Sequence, residues 1–238
     1  MAVAQTLPSS NADGSAIVTP SRTGKYLEAY TVPVGRARDM LALEGSYYTA
    51  MNATDDTQLT AHAAPAIADA GTKPIIHFYN GGTKTVALDY ISLYTIVANA
   101  SASRVFFDAY VNSSGSTVRT SGGTAITLAN NNNAASSNTT GLTIYAGAVV
   151  TTATSLRKVF HSMVRPAIGI ALDQYHFSFG QGLGMSQGAF VQATVQSTYS
   201  AGSPIIVAPG GNFLFEQISP SGAATAMTFE FQMGWSER

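Results

Sequence analysis

The sequence predicts an all-β protein, a jelly-roll-type antiparallel sandwich with an extended N-terminal arm. Three observations predict it. Short runs rich in Val, Ile, Phe, Tyr and Thr recur at roughly ten-residue spacing from Lys73 onward, separated by Gly, Asn, Ser and Pro. One run alternates strictly: Met227, Phe229, Phe231, Met233 and Trp235 interleave with Thr228, Glu230, Gln232 and Gly234, giving a core face and a polar face. No stretch keeps apolar residues at three- and four-residue spacing over the roughly ten positions a long helix needs.

Taken in order, residues 1–25 are small and polar with Pro8 and Pro20 as breakers, which reads as an extended arm. Residues 26–238 are expected to form a single sandwich domain, with 26–72 a less regular leading segment. There, Tyr26-Leu27-Glu28-Ala29-Tyr30-Thr31-Val32 has strand character, and the Ala-rich stretch 50–70 has room for one short helical turn. Ile75-Ile76-His77-Phe78-Tyr79 runs into the turn signal Asn80-Gly81-Gly82, and Thr85-Val86-Ala87-Leu88 follows.

In the run 86–98, Val86, Leu88, Tyr90, Tyr94 and Ile96 share one face while Ile91, Leu93 and Val97 share the other. That predicts a strand covered on both sides. The runs 104–111 and 116–119 flank Asn112-Ser113-Ser114-Gly115 as a hairpin. Residues 129–141, with Asn130-Asn131-Asn132-Asn133, read as a long solvent-facing loop that buries almost nothing. Further strands are expected at 142–146, 156–164, 168–172, 175–179, 189–195, 205–208, 213–218 and 226–235. No internal repeat stands out, which argues against a propeller or solenoid.

Apolar residues make up 45% of the 238, enough for a packed core, whereas charged residues are 11% against roughly 25% in an average soluble protein. Such a surface suits a protein covered by neighbours, and equally a secreted β protein with an uncharged polar exterior. Net charge is −1, and Arg36/Arg38 and Arg157/Lys158 are the paired cations, so phosphate neutralisation gives no case for nucleic acid. The absence of cysteine excludes disulfides and thiolate metal sites and leaves the redox compartment open. Met1-Ala-Val-Ala-Gln-Thr-Leu-Pro8 has neither a basic leader region nor a continuous apolar one. No run approaches the ~18 apolar residues of a membrane helix, so the expectation is a soluble chain without a membrane partner.

Candidate chemistry is sparse. Gly184-Met185-Ser186-Gln187-Gly188 fits the nucleophile-elbow pattern, but Gly180-Gln181-Gly182-Leu183 precedes it, a strand-like run follows, and His176 is the last histidine. A plain glycine-rich loop is expected. Gly180, Gly182, Gly184 and Gly188 lack the Lys-Ser/Thr of a phosphate-binding loop. His62, His77, His161 and His176 show no metal-ligand spacing and read as isolated structural residues. Asp55-Asp56 is followed by no further carboxylate or turn glycine, so it does not read as a calcium loop. Asn52, Asn99, Asn112 and Asn138 begin glycosylation sequons that carry no weight without a leader. The expectation is therefore a non-enzyme with no catalytic, cofactor-binding or metal residues. Its 11 Tyr and 11 Phe would serve the core and interfaces.

One further pattern runs from Gly24-Lys25-Tyr26-Leu27-Glu28-Ala29 through an Ala-rich middle to Lys73-Pro74-Ile75-Ile76-His77-Phe78-Tyr79-Asn80. Pro209-Gly210-Gly211 then introduces Phe213-Leu214-Phe215, and the chain closes on Thr228-Phe229-Glu230-Phe231-Gln232-Met233-Gly234-Trp235-Ser236-Glu237-Arg238. This order of features resembles virion structural proteins of tailed bacteriophages. The resemblance implies a capsid decoration (cement) protein, a homotrimer whose partner is the major capsid protein or another virion component. It would reside in the virion after assembly in the host cytoplasm, and its arm would order on binding. The competing expectations are a tail or head-fibre component that binds host receptor or glycan through the 130–140 loop and exposed aromatics, and a cellular β-sandwich enzyme or lectin. The latter would need a metal site or carboxylate pair that the sequence does not display.

Overall fold

A computed structural model of the chain describes residues 22–23, 29–30, 37–51, 59–60, 71–97, 106–135, 137–150, 156–162, 174–180, 196–201, 204–218 and 228–238. The chain divides into two units, residues 1–40 and 41–238. In the first, β1 (Arg22–Thr23) and β2 (Ala29–Tyr30) pair antiparallel. The rest of the expected arm lies outside the described residues. A seven-residue helix, α1 (Ala37–Leu43), follows; it was not expected from the sequence, because Met40 and Leu43 stay exposed and it has no apolar stripe. It stops where Gly45 takes a left-handed φ of 69° and donates to the Ala42 carbonyl. No described helix is long and apolar enough to cross a membrane.

The second unit is the predicted β-sandwich. Its strands are β3 (Tyr47–Met51), β4 (Leu59–Thr60), β5 (Ile76–Asn80), β6 (Val86–Val97), β7 (Phe106–Asn112), β8 (Arg119–Ala125) and β9 (Leu128–Asn130). They continue as β10 (Leu142–Val150), β11 (Arg157–His161), β12 (Gln174–Phe179), β13 (Gln196–Ala201), β14 (Ile205–Val207), β15 (Asn212–Ile218) and β16 (Thr228–Glu237). A six-stranded sheet runs β11-β7-β15-β5-β10-β8. An eight-stranded sheet runs β13-β12-β6-β16-β3-β9, with β14 beside β6 and β4 beside β16. Among the described residues, every ladder is antiparallel except β12 with β13, which is parallel. The strands expected at 168–172 and 189–195 lie outside the described residues, and the helical turn expected within 50–70 finds only strand residues among those described there.

The core forms where the inward faces meet. Phe107 and Phe215 of the six-stranded sheet pack on Phe177 of the other, with ring centroids 5.2 Å and 4.8 Å apart at steep angles. Phe229, Phe231, Met233 and Trp235 supply the alternating core face foreseen for β16. Both C-terminal strands insert centrally: β15 lies between β5 and β7, and β16 lies between β3 and β6. Neither sheet is complete until the last residues of the chain are in place.

Three expectations are corrected. The first concerns β6, which is covered on one face only. Leu88 pairs with Trp235 and Tyr90 with Gly234, so Asp89 is an extra residue and the alternation slips by one. Val86, Leu88, Ile91 and Leu93 consequently all enter the core, while Tyr90, Ser92 and Tyr94 turn outward, half-buried.

The second concerns the hairpin around 112–115. β15, β5 and β10 separate β7 from β8. Residues 113–118 instead cross the outer face of the six-stranded sheet, held by Asn212. Its Nδ2 donates to Ser114 Oγ (3.1 Å) and the Ser116 carbonyl (2.9 Å), and its Oδ1 accepts from Val118 N–H (3.2 Å).

The third concerns the asparagine run, which faces solvent and buries no described residue as expected, but which starts in β9, makes one short 3-10 turn at Asn133–Ala135 and is tied down by its amides. Asn130 closes β9 against β3, and its Nδ2 donates to the carbonyls of Gly45 (2.9 Å) and Ala135 (3.2 Å). Asn132 Nδ2 donates to the Leu43 carbonyl at 2.8 Å, so amide side chains take up carbonyls at the end of α1.

Candidate functional site

The two outer faces of the sandwich were built by the same alternation and differ in what covers them. On the six-stranded sheet, Tyr110, Leu214, Val118 and Val150 form a second apolar cluster beneath the chain's own crossing segments. Asp108 and Glu216 stand opposite each other on β7 and β15, both fully buried. Asp108 receives Lys158 Nζ and His161 Nδ1, each at 2.5 Å, and the Tyr110 hydroxyl at 3.0 Å. Glu216 accepts the backbone N–H groups of Gly71 (2.5 Å) and Lys73 (2.8 Å).

Burial dominates the titration of this face. It raises Glu216 above the usual carboxylate range, opposed by the backbone donors and reinforced by the Asp108 charge. It raises Tyr110 as well, with Asp108 adding to the effect. His77, hydrogen-bonded through Nε2 to Asn212 Oδ1 at 3.1 Å, is lowered by its burial; its Nδ1 has no partner among the described residues. Both carboxylates are consumed by their own chain, and no cluster of three or more His, Asp or Glu residues fit to hold a metal occurs among the described residues. The pairing of Lys158 and His161 with Asp108 was not readable in the sequence, since the partners come from β11 and β7.

The outer face of the eight-stranded sheet is sealed around Tyr47 and Thr49, the latter bonded to Asn131 Oδ1 at 2.8 Å, while around β12, β6 and β16 no described segment crosses it. The ladders set its outward side chains in rows: Gln174, Tyr94 and Glu230 in one; His176, Ser92, Gln232 and Met51 in the next; Ser178, Tyr90, Gly234 and Thr49 in a third. The first two rows surround a hollow of about 310 Å³ rimmed by Ser92, Tyr94, Gln174, His176, Glu230 and Gln232. His176 Nδ1 lies 2.7 Å from Ser92 Oγ, and its ring stacks on Tyr90 with centroids 5.9 Å apart. Tyr90 is fixed in turn by Gly234, where a Cβ would sit 2.5 Å from Tyr90 Cε1 and 2.7 Å from the Tyr47 hydroxyl. Tyr47 donates to Asp89 Oδ2 at 2.7 Å, anchoring the bulge that turned Tyr90 and Ser92 outward.

The Ser92–His176 contact does not have the arrangement of a hydrolase. It uses Nδ1, the nitrogen that an orienting acid occupies in a Ser–His–acid triad. Ser92 also sits mid-strand between β12 and β16, where ladder pairing leaves no backbone N–H groups to receive an oxyanion. What the face offers is a hydrogen-bonding surface of amides and hydroxyls with a single carboxylate, Glu230, beside aromatic rings.

Ser186, His62, Asp55 and Asp56 lie outside the described residues. Of the sequon asparagines, Asn112 is buried on β7, and Asn138 is exposed and donates to the Gly45 carbonyl at 3.4 Å. None of the hollow's rim was singled out as a site from the sequence, although the polar phase of β16 already contained Glu230 and Gln232.

Fold and site define the chain as a β-sandwich protein with a shallow polar and aromatic hollow on one open sheet face. No family model, curated protein or solved structure matches it.

Proposed function

We propose that the chain is a non-enzymatic structural protein of a tailed-phage particle, a capsid decoration protein that works by assembly. The observation that carries this reading is edge strand β8, which among the described residues pairs only with β10 and exposes six consecutive uncharged residues, Thr120, Ser121, Gly122, Gly123, Thr124 and Ala125. Natural edges are usually blunted by lysine, proline or inward charges, because unpaired backbone groups recruit other chains. Here the one charged residue of the strand is folded back: Arg119 Nε and Nη2 donate to the Gly122 carbonyl at 2.9 and 2.7 Å, with the guanidinium 3.8 Å above the Tyr145 ring. Gly122 and Gly123 leave the middle of the edge free of side chains.

The low overall charge agrees with an extensive shared surface. The insertion of β15 between β5 and β7, a Greek-key type of order, supports the jelly-roll winding. Binding that occurs only to the assembled shell stabilises the shell by mass action. Light scattering on the purified chain, followed by sedimentation with undecorated particles, tests the proposal. A trimer that co-sediments and raises the heat resistance of particles is expected, with Thr124→Lys weakening both effects. A protein that stays in the supernatant contradicts it. A second reading, a tail or head-fibre component that binds a host glycan, is favoured by the hollow on the other sheet.

A further inference from the structure

We infer that the hollow on the eight-stranded sheet binds one neutral sugar residue of a glycan. The inference rests on the second reading above and names its ligand class and its residues. No side-chain hydrogen bond ties Gln174, Glu230 or Gln232 to another described residue, so their capacity faces whatever fills the hollow. Two amides each present a donor and an acceptor, and a carboxylate presents acceptors alone. Vicinal hydroxyls, each both donor and acceptor, are the ligand groups that satisfy such a mixed set.

The spacing agrees. Gln174, Tyr94 and Glu230 stand on three adjacent strands, about 4.8 Å from one to the next, so their row spans roughly the width of a sugar ring with its substituents. The rings of Tyr94 and His176, the latter backed by Tyr90 outside the hollow, supply apolar surface for the C–H face of such a ring. Part of the rim is preorganised, because Ser92 holds His176 by a 2.7 Å hydrogen bond and Tyr90 stacks on its ring, whereas Gln174, Glu230 and Gln232 lose rotamer freedom on binding. A volume of about 310 Å³ is near the lower end of small-molecule sites, and its open form lets a chain continue out over the face.

Charge selects among saccharides. Among the described residues, Glu230 is the one formally charged residue of the rim, and no Lys or Arg lines the hollow. A sialic acid, a uronic acid or a phosphorylated sugar would set its anion against Glu230 without compensation.

The test uses the full chain and a panel of maltooligosaccharides, N-acetylchitooligosaccharides, mannan and galactan oligosaccharides, with sialyllactose and oligogalacturonate as acidic members. Saturation-transfer NMR and calorimetry read binding, and circular dichroism checks each variant's fold. At least one neutral member is expected to bind. Gln232→Ala and Glu230→Ala should each weaken it by about tenfold or more, equivalent to about 1.4 kcal/mol. Glu230→Gln should keep most of the neutral-sugar affinity and reduce discrimination against the acidic members. Binding confined to acidic sugars, or neutral-sugar binding unchanged in both alanine variants, overturns the inference. Host-cell binding by the wild type with no affinity for any neutral member overturns the sugar site and leaves the receptor reading standing. Binding to neither cells nor sugars overturns both.

Discussion

The outer face of the six-stranded sheet and that of the eight-stranded sheet begin alike, as the outward phase of alternating strands, and end in opposite conditions. On the first, segment 113–118 and the Gly71–Lys73 turn lie over the sheet and bury Asp108, Glu216, His77 and Asn212. Asp108, Glu216 and Asn212 are matched inside the protein, and His77 through one of its two ring nitrogens, because an unpaired buried carboxylate or amide costs several times what a typical hydrogen bond contributes. On the second, Tyr94, Gln174, Glu230 and Gln232 remain in contact with water, and nothing in the fold depends on their pairing. Polarity on a sheet face thus says little by itself. Whether the chain crosses over that face decides whether polar residues serve stability or are available to a ligand.

Substitutions can break or sharpen this contrast. Asp108→Ala should be the most damaging, at about 3 kcal/mol by urea unfolding, since it strips Lys158 of its counter-charge and His161 of its hydrogen-bond partner and leaves the Tyr110 hydroxyl buried without its acceptor. A loss near zero would mean that the face is not sealed. Asn212→Ala should follow at about 2 kcal/mol, because one side chain holds both the 113–118 crossing and His77.

Glu216→Gln should change a slope more than a midpoint. With its folded pKa raised, Glu216 contributes stability that is complete below the unfolded carboxylate pKa and is lost as pH rises through the raised value. Unfolding midpoints followed upward from the acid side should therefore fall less steeply in the variant than in the wild type; identical slopes would remove Glu216 from the account. His77 acts with the opposite sign, its contribution being full above the ordinary imidazole pKa and lost as pH falls through its lowered one. The smallest effect belongs to the open face: Gln232→Ala should shift stability by no more than about 0.5 kcal/mol. A larger loss there would show the two faces to be alike.

The class of fold was legible because β16 and β12 keep an unbroken period of two, and the core residues from Phe229 to Trp235 follow it. The site was not, for three physical reasons. The bulge at Asp89 reverses the phase of β6, so the sequence assigned Tyr90 and Tyr94 to the same face as Val86 and Leu88. The hollow also needs β12, β6 and β16 side by side, an order set by long-range pairing that local patterns do not encode. Finally, the asparagine run looked like a recognition loop by composition, whereas its amides are spent on the carbonyls of Leu43, Gly45 and Ala135.

Tyr94 and Tyr110 stand on the two opposed outer faces, and mapping their nitration by tetranitromethane in the folded protein tests the contrast most directly. Tyr94 should be modified while Tyr110, buried and with its phenol held protonated by burial and Asp108, stays unmodified until denaturant is added. Equal modification of both tyrosines under native conditions, or protection of Tyr94, would contradict the division into one sealed face and one open one.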